Sequence, residues 1–161
     1  MHPRARELID ALALLPHPEG GHYRRVYESS VHVRTAGRER AALSAIHYLL
    51  AAGEFSRWHR VDADEGWHHA EGDPLEIFVF DVTATSLTRH RLGRHDDASG
   101  TSPLLVVPAH CWQAARPLGA YALVGCSVAP GFEFEGFTLL DQAPQVAEVI
   151  RIAHPELATL G

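Results

Sequence analysis

From His22 onward the chain is cut into short runs rich in Val, Ile, Phe, Tyr and Trp, each too brief for a globular helix and each closed by Gly, Pro or an Asp-Asp pair. The runs are His22–Ser30, Ala42–Leu50, Ser56–Val61, Leu75–Val82, Ser86–Leu92, Pro103–Val107, Trp112–Ala115, Ala120–Ser127 and Glu135–Leu139. Many short strands with few helices predict a β-sandwich or barrel. Helical spacing occurs only at the two ends. Pro3 opens a stretch to about Leu15 in which Leu8, Leu12 and Leu15 recur, and Pro16-His17-Pro18 stops it. Gly20-Gly21 then supplies a loop free to adopt positive φ. A second helix is predicted from Pro144 to Ala153, with Val146, Val149 and Ile150 as its apolar stripe. The polar segment 94–102 (RHDDASGTS) is expected as a hairpin tip between the two halves. With no internal repeat or linker, residues 1–161 are expected to form a single domain.

Composition removes several function classes. The chain has 161 residues, a net charge of −6, and all 14 of its Lys+Arg residues are arginine. An acidic chain lacks the basic face that releases counterions from a phosphate backbone, so no nucleic-acid partner is expected. Without lysine there is no side-chain amine for a Schiff base. Cys111 and Cys126 form neither a CxxC pair nor a disulfide framework. The first residues lack the apolar core of a signal peptide, and no apolar run approaches the roughly 20 residues that span a bilayer. A cytoplasmic protein with reduced thiols, and no membrane partner, is the expectation. Twelve histidines in this length point to a site.

The densest chemistry lies in GEFSRWHRVDADEGWHHAEG (53–72). Gly53, His59, Val61, Glu65 and Gly72 resemble the spacing of the first cupin motif, with Val61 where the motif has its second histidine. Residues two apart on a strand share a face, so 59 and 61 both turn inward. Pro108-Ala109-His110 followed by Gln113 fits the second motif, with His110 at a glycine position and Gln113 at a ligand position. HPEGGHYRRVYES (17–29), SAIHYLL (44–50), SRWHRVDADEGWHHAEGDPLE (56–76), VVPAHCWQAARPLG (106–119) and YALVGCSVAPGFEFEGF (121–137) resemble, in order, the signature stretches of the Cupin_5 family. The resemblance implies an all-β double-stranded β-helix (a cupin jelly-roll barrel) with a short N-terminal and a C-terminal helix. It also implies a homodimer, a pocket between the sheets, and kinship to metal-independent deoxysugar epimerases of the RmlC type. The chain departs from the family at His69 and Ala70, where aromatic residues are common, and at His110, where glycine is usual.

His59 and Glu65 are the candidate acid/base pair, because a barrel interior desolvates both and moves their pKa values toward neutrality. Arg57 shares strand parity with His59, so it is a candidate for holding a carboxylate or phosphate, against a salt bridge to Glu54 or Asp62 at the mouth. Gln113, Tyr48, Trp67, Trp112 and one of Arg24 and Arg25 complete the substrate-binding candidates, the tryptophans as stacking walls. Two other readings stay open. His59, Glu65 and Gln113 could hold one divalent ion (Fe, Mn, Zn or Ni), with His68 as an outside candidate opposed by strand parity. A non-catalytic metabolite-binding cupin is the third reading. The leading expectation is an epimerase or isomerase that removes a proton beside a carbonyl of a sugar-like or carboxylated small molecule.

Overall fold

The short runs become strands that pass back and forth between two facing sheets. A computed structural model describes residues 1–161. Its elements are α1 (Pro3–Ala11), β1 (Leu15–Pro16), β2 (His22–Glu28), β3 (His32–Thr35), β4 (Arg38–Ala41), β5 (Ser44–Ala51), β6 (Ser56–Val61), β7 (Asp64–Gly72), β8 (Leu75–Asp81), β9 (Ser86–Leu92), β10 (Thr101–Ser102), β11 (Leu104–Val107), β12 (Trp112–Pro117), β13 (Tyr121–Ala129), β14 (Phe137–Leu139) and α2 (Pro144–Ala153). One sheet runs β1-β2-β5-β13-β7-β11, the other β10-β9-β8-β12-β6-β14, and β3-β4 is a separate hairpin. Successive strands from β5 to β8, and again from β11 to β14, change sheet at each connection, which makes an all-β double-stranded β-helix.

Between the sheets, Tyr48, Leu50, Trp67, Leu75, Ile77 and Leu92 fill one end of the barrel. The helices are not barrel caps; each covers the outer face of a sheet. Ala5 and Leu8 of α1 pack on Leu49, Ala51 and Leu123 of the first sheet. Ile150 of α2, with Leu157 and Leu160 beyond it, packs on Trp58, Phe78, Phe80 and Trp112 of the second. Burying such large side chains stabilises the fold by roughly 1.5–3 kcal/mol each. No helix is long and apolar enough to cross a membrane.

Four local expectations change. α1 stops at Ala11 rather than Leu15, because Ala13 takes φ 50° and Leu15 pairs with Tyr23 in β1/β2. β7 is a long strand that composition conceals: its glycines, alanine and acidic residues have low strand propensity, and pairing with both β13 and β11 overrides it. The β3–β4 hairpin is likewise unannounced. Its Arg40 is buried, donates to the carbonyl oxygens of Gly131 (2.6 Å) and Pro130 (3.4 Å), and pairs with Asp62 at 3.0 Å. The 94–102 segment is a crossover, not a hairpin tip: β10 runs parallel to β9, and the chain then leaves for β11 in the other sheet.

Candidate functional site

The HPEGG loop builds one wall of a cavity of about 190 Å³ at the unfilled end of the barrel. Gly20 (φ 108°) and Gly21 (φ 67°) let this loop lie flat on the barrel: a Cβ on Gly20 would strike the Phe55 carbonyl oxygen, and one on Gly21 the Leu49 carbonyl oxygen at 2.6 Å. Tyr48 donates its hydroxyl to Gly20 O at 2.7 Å, and Arg57 N–H donates to Glu19 O at 2.7 Å. So clamped, the loop pushes Glu19 inward, where it is 7% exposed. Its Oε1 accepts from Ser56 Oγ at 2.9 Å, and its Oε2 lies 3.2 Å from His59 Nδ1 and 3.7 Å from His17 Nδ1. Burial raises the Glu19 pKa and lowers that of His17.

An extra residue in β6 aims His59. Gln113 of β12 pairs with His59 and Ala115 with Ser56, so β6 carries one more residue than its partner across that interval. The bulge reverses parity. Ser56 and His59 both reach Glu19 although their separation is odd, and Arg57 is turned away. The tautomer of His59 follows from its partners. A carbonyl oxygen can only accept, so the 2.7 Å contact of Nδ1 with Arg57 O places the proton on Nδ1. Nε2 then keeps its lone pair and has no hydrogen-bond partner in the protein. Phe137 stacks on the ring at 5.5 Å, and burial lowers the imidazole pKa.

Glu65, on β7, lines the same cavity. Its pKa is pushed up to about 7, first by burial and then by the charge of Glu19, against opposing contributions from His59 and Gln113. Gln113 donates its amide to Glu65 Oε2 at 2.6 Å and accepts from Trp67 Nε1 at 2.9 Å. Because indole N–H can only donate, Gln113 Oε1 must face Trp67 and its NH₂ must face Glu65. Cys126 also lines the cavity, and burial pushes its thiol pKa well up.

Against this geometry, the Cupin_5 family model, described as "Cupin superfamily (DUF985)", matches residues 6–140. The chain belongs to the Cupin_5 family. A protein from Shewanella oneidensis, SO0799, is 36% identical to this cupin, with a TM-score of 0.78 over 91% of this chain and 94% of that one. A hypothetical protein from Leishmania major is 26% identical, with a TM-score of 0.82 over 97% and 95%. Oxalate decarboxylase OxdC of Bacillus subtilis shares the fold at 15% identity, with a TM-score of 0.58 over 91% of this cupin and 37% of that chain. No curated protein sequence is detectably similar.

Of the residues singled out from sequence, the cupin brings His59, Glu65 and Arg24 to the cavity, with Arg25 beside Arg24. The other candidates lie elsewhere. Arg57 leaves at the bulge for Asp141, 3.6 Å away. Tyr48 spends its hydroxyl on the loop. Trp67 and Gln113 stand behind Glu65 and do not line the cavity. Trp112 faces the opposite way, into the α2 cluster, under the Arg60 guanidinium at 5.5 Å. His68 is exposed and reaches Ser127 Oγ at 3.2 Å on the outer face, as parity requires. His110 is exposed with φ 68°, a left-handed position that glycine would adopt without strain. Sequence reading missed Glu19 and His17. The available signal was an ionisable residue set between proline and two glycines, in the loop that turns β1 back into β2.

Cupin superfamily members often bind metals, but the residues present here do not fit a metal centre. Gln113 offers an amide N–H, not its oxygen, toward Glu65. Val61, 4% exposed, packs with Ala63 and Val128 where a second histidine would stand. No three His, Cys, Asp or Glu side chains are disposed to hold one ion, while catalytic sites fix about three protein ligands.

Proposed function

We propose that this cupin is a proton-transfer enzyme, an isomerase or epimerase acting on a carbon beside the carbonyl of a small molecule. The observation that carries the reading is that one cavity holds a neutral imidazole with its free nitrogen fixed by geometry and a carboxyl that keeps its proton to about neutral pH. His59 Nε2 takes the proton from the carbon, and the released electron pair moves onto the carbonyl oxygen. Glu65, protonated, donates to that oxygen. The imidazolium then returns its proton to the other face of the same carbon as the enol oxygen gives its proton back to Glu65, or to the former carbonyl carbon as a hydroxyl on the first carbon gives its proton to Glu65 and becomes the new carbonyl. Glu19, behind Nδ1, is a positioning residue that holds the ring and favours the transient imidazolium. Such a pair supplies about 10²–10⁴-fold in rate.

The test is proton exchange in D₂O, followed by ¹H NMR, over a panel of small 2-oxo acids and keto-sugars. Loss of the signal beside the carbonyl with wild type, abolished in His59→Gln, supports the reading. Binding of a panel member without exchange overturns it in favour of a binding protein.

A further inference from the structure

The cavity also restricts what can enter it. Of the 17 residues that line it, 10 are hydrophobic. Its histidines, carboxyl groups and arginines fall into two places: the buried floor of His17, Glu19, His59 and Glu65, and the exposed pair Arg24 and Arg25; the remaining polar residue, Ser44, has its Oγ engaged by Phe132 N–H at 2.8 Å. Phe132 and Phe137 meet at 5.8 Å and, with Ile46 and Val128, make an apolar wall next to His59. An apolar cavity of about 150 Å³ is known to hold one benzene ring, so about 190 Å³ fits a six-membered ring or a branched chain with a short head group.

A pyranose fits that wall poorly. It carries hydroxyls around its ring, and each one desolvated without a partner costs about 1–3 kcal/mol. The charges fit a carboxylate better. The floor offers an anion no cation, since burial lowers the pKa of both its imidazoles, whereas the arginines attract one. Arg24 holds only a long contact to Leu12 O (3.4 Å), and Arg25 only an exposed pair with Glu28 (2.7 Å). Exposed pairs of that kind contribute about 0–1 kcal/mol, so both guanidinium groups are free to turn to a ligand.

We propose that the substrate is a small 2-oxo carboxylate with an aromatic or branched apolar body. The carboxylate pairs with Arg24 and Arg25, and the body lies against Phe132 and Phe137. The carbon between carbonyl and body is presented to His59. The class deepens the proton-transfer reading and rests on it only for turnover, since binding can be measured alone.

The probes are phenylacetate, its neutral amide phenylacetamide, and galacturonate, an anionic sugar, each titrated by NMR against wild type and Arg24→Gln/Arg25→Gln. Both arginines are exposed, so this variant folds as wild type. The expected result is that phenylacetate shifts Phe137 resonances and loses about tenfold in affinity in the variant. Phenylacetamide should bind more weakly than phenylacetate and be indifferent to the arginines. Galacturonate binding more tightly than phenylacetate would overturn the class while leaving proton transfer standing. So would phenylacetate that fails to bind, or that binds no better than its amide. Exchange of the C3 protons of 4-methyl-2-oxopentanoate in D₂O then tests turnover. Binding as expected with no exchange would sink the proton-transfer reading and leave the ligand class.

Discussion

Trp67 Nε1 lies 2.9 Å from Gln113 Oε1, and this contact across the barrel interior decides which end of the amide faces the cavity side. Gln113 is thereby a donor to Glu65 and not a carbonyl ligand. Gln113→Leu should therefore leave two buried polar groups without partners, each costing about 1–3 kcal/mol. Urea unfolding should show a loss on the order of 2–5 kcal/mol, and Trp67 fluorescence should change. A loss below about 1 kcal/mol would mean the chain Trp67–Gln113–Glu65 is not formed.

Glu65 gives the cupin a pH dependence with a definite sign. Its pKa rises on folding from 4.5 to about 7, so the native state binds the extra proton. That contribution to stability is complete below about pH 4.5 and is lost as the pH climbs through 7, by up to about 3 kcal/mol. His59, shifted down, acts in the opposite direction near its ordinary 6.5. Glu65→Gln removes only the first effect. Urea midpoints of the two proteins at about pH 5 and about pH 7.5 should converge or cross in the variant's favour at the higher pH. A constant difference would contradict the raised pKa.

Glu19→Gln should lower the His59 pKa further, because the 3.2 Å neighbour of Nδ1 loses its charge while the Arg57 carbonyl still holds the tautomer. Titration of the His59 ring resonances reads this without any substrate. An unchanged titration with an unchanged fold would reduce Glu19 to packing.

Metal content gives a further check. Untagged protein analysed by mass spectrometry should carry well under one transition-metal ion per chain, and His59→Ala should not change the amount. One equivalent in wild type, lost in the variant, would reverse the conclusion drawn from Gln113 and Val61.

The fold was largely legible because β-branched and aromatic runs between Gly and Pro punctuation are a local property of the chain. His59 and Glu65 were legible for a related reason: they sit in one window with strand spacing. Arg57 was misplaced because parity counting cannot see a bulge, which exists only relative to the partner strand β12. Glu19 escaped because its role depends on the HPEGG loop lying on β6, a contact between distant parts of the chain. Trp112 was assigned to the pocket although the even positions of β12 face α2. Which face of a two-sided buried strand meets the cavity is invisible when both faces are apolar.

Arg40 joins the β3–β4 hairpin to the backbone just before Phe132 and Phe134, two of the rings that line the cavity. Neither six-stranded sheet includes that hairpin. The segment that shapes the pocket is thus anchored to an accessory piece, with Phe132 N–H to Ser44 Oγ (2.8 Å) as a tie to β5, and can be remodelled while the His59–Glu65 pair is left alone. A lineage, or an engineer, can exchange this panel to reshape the pocket and inherit the floor of His59 and Glu65 intact.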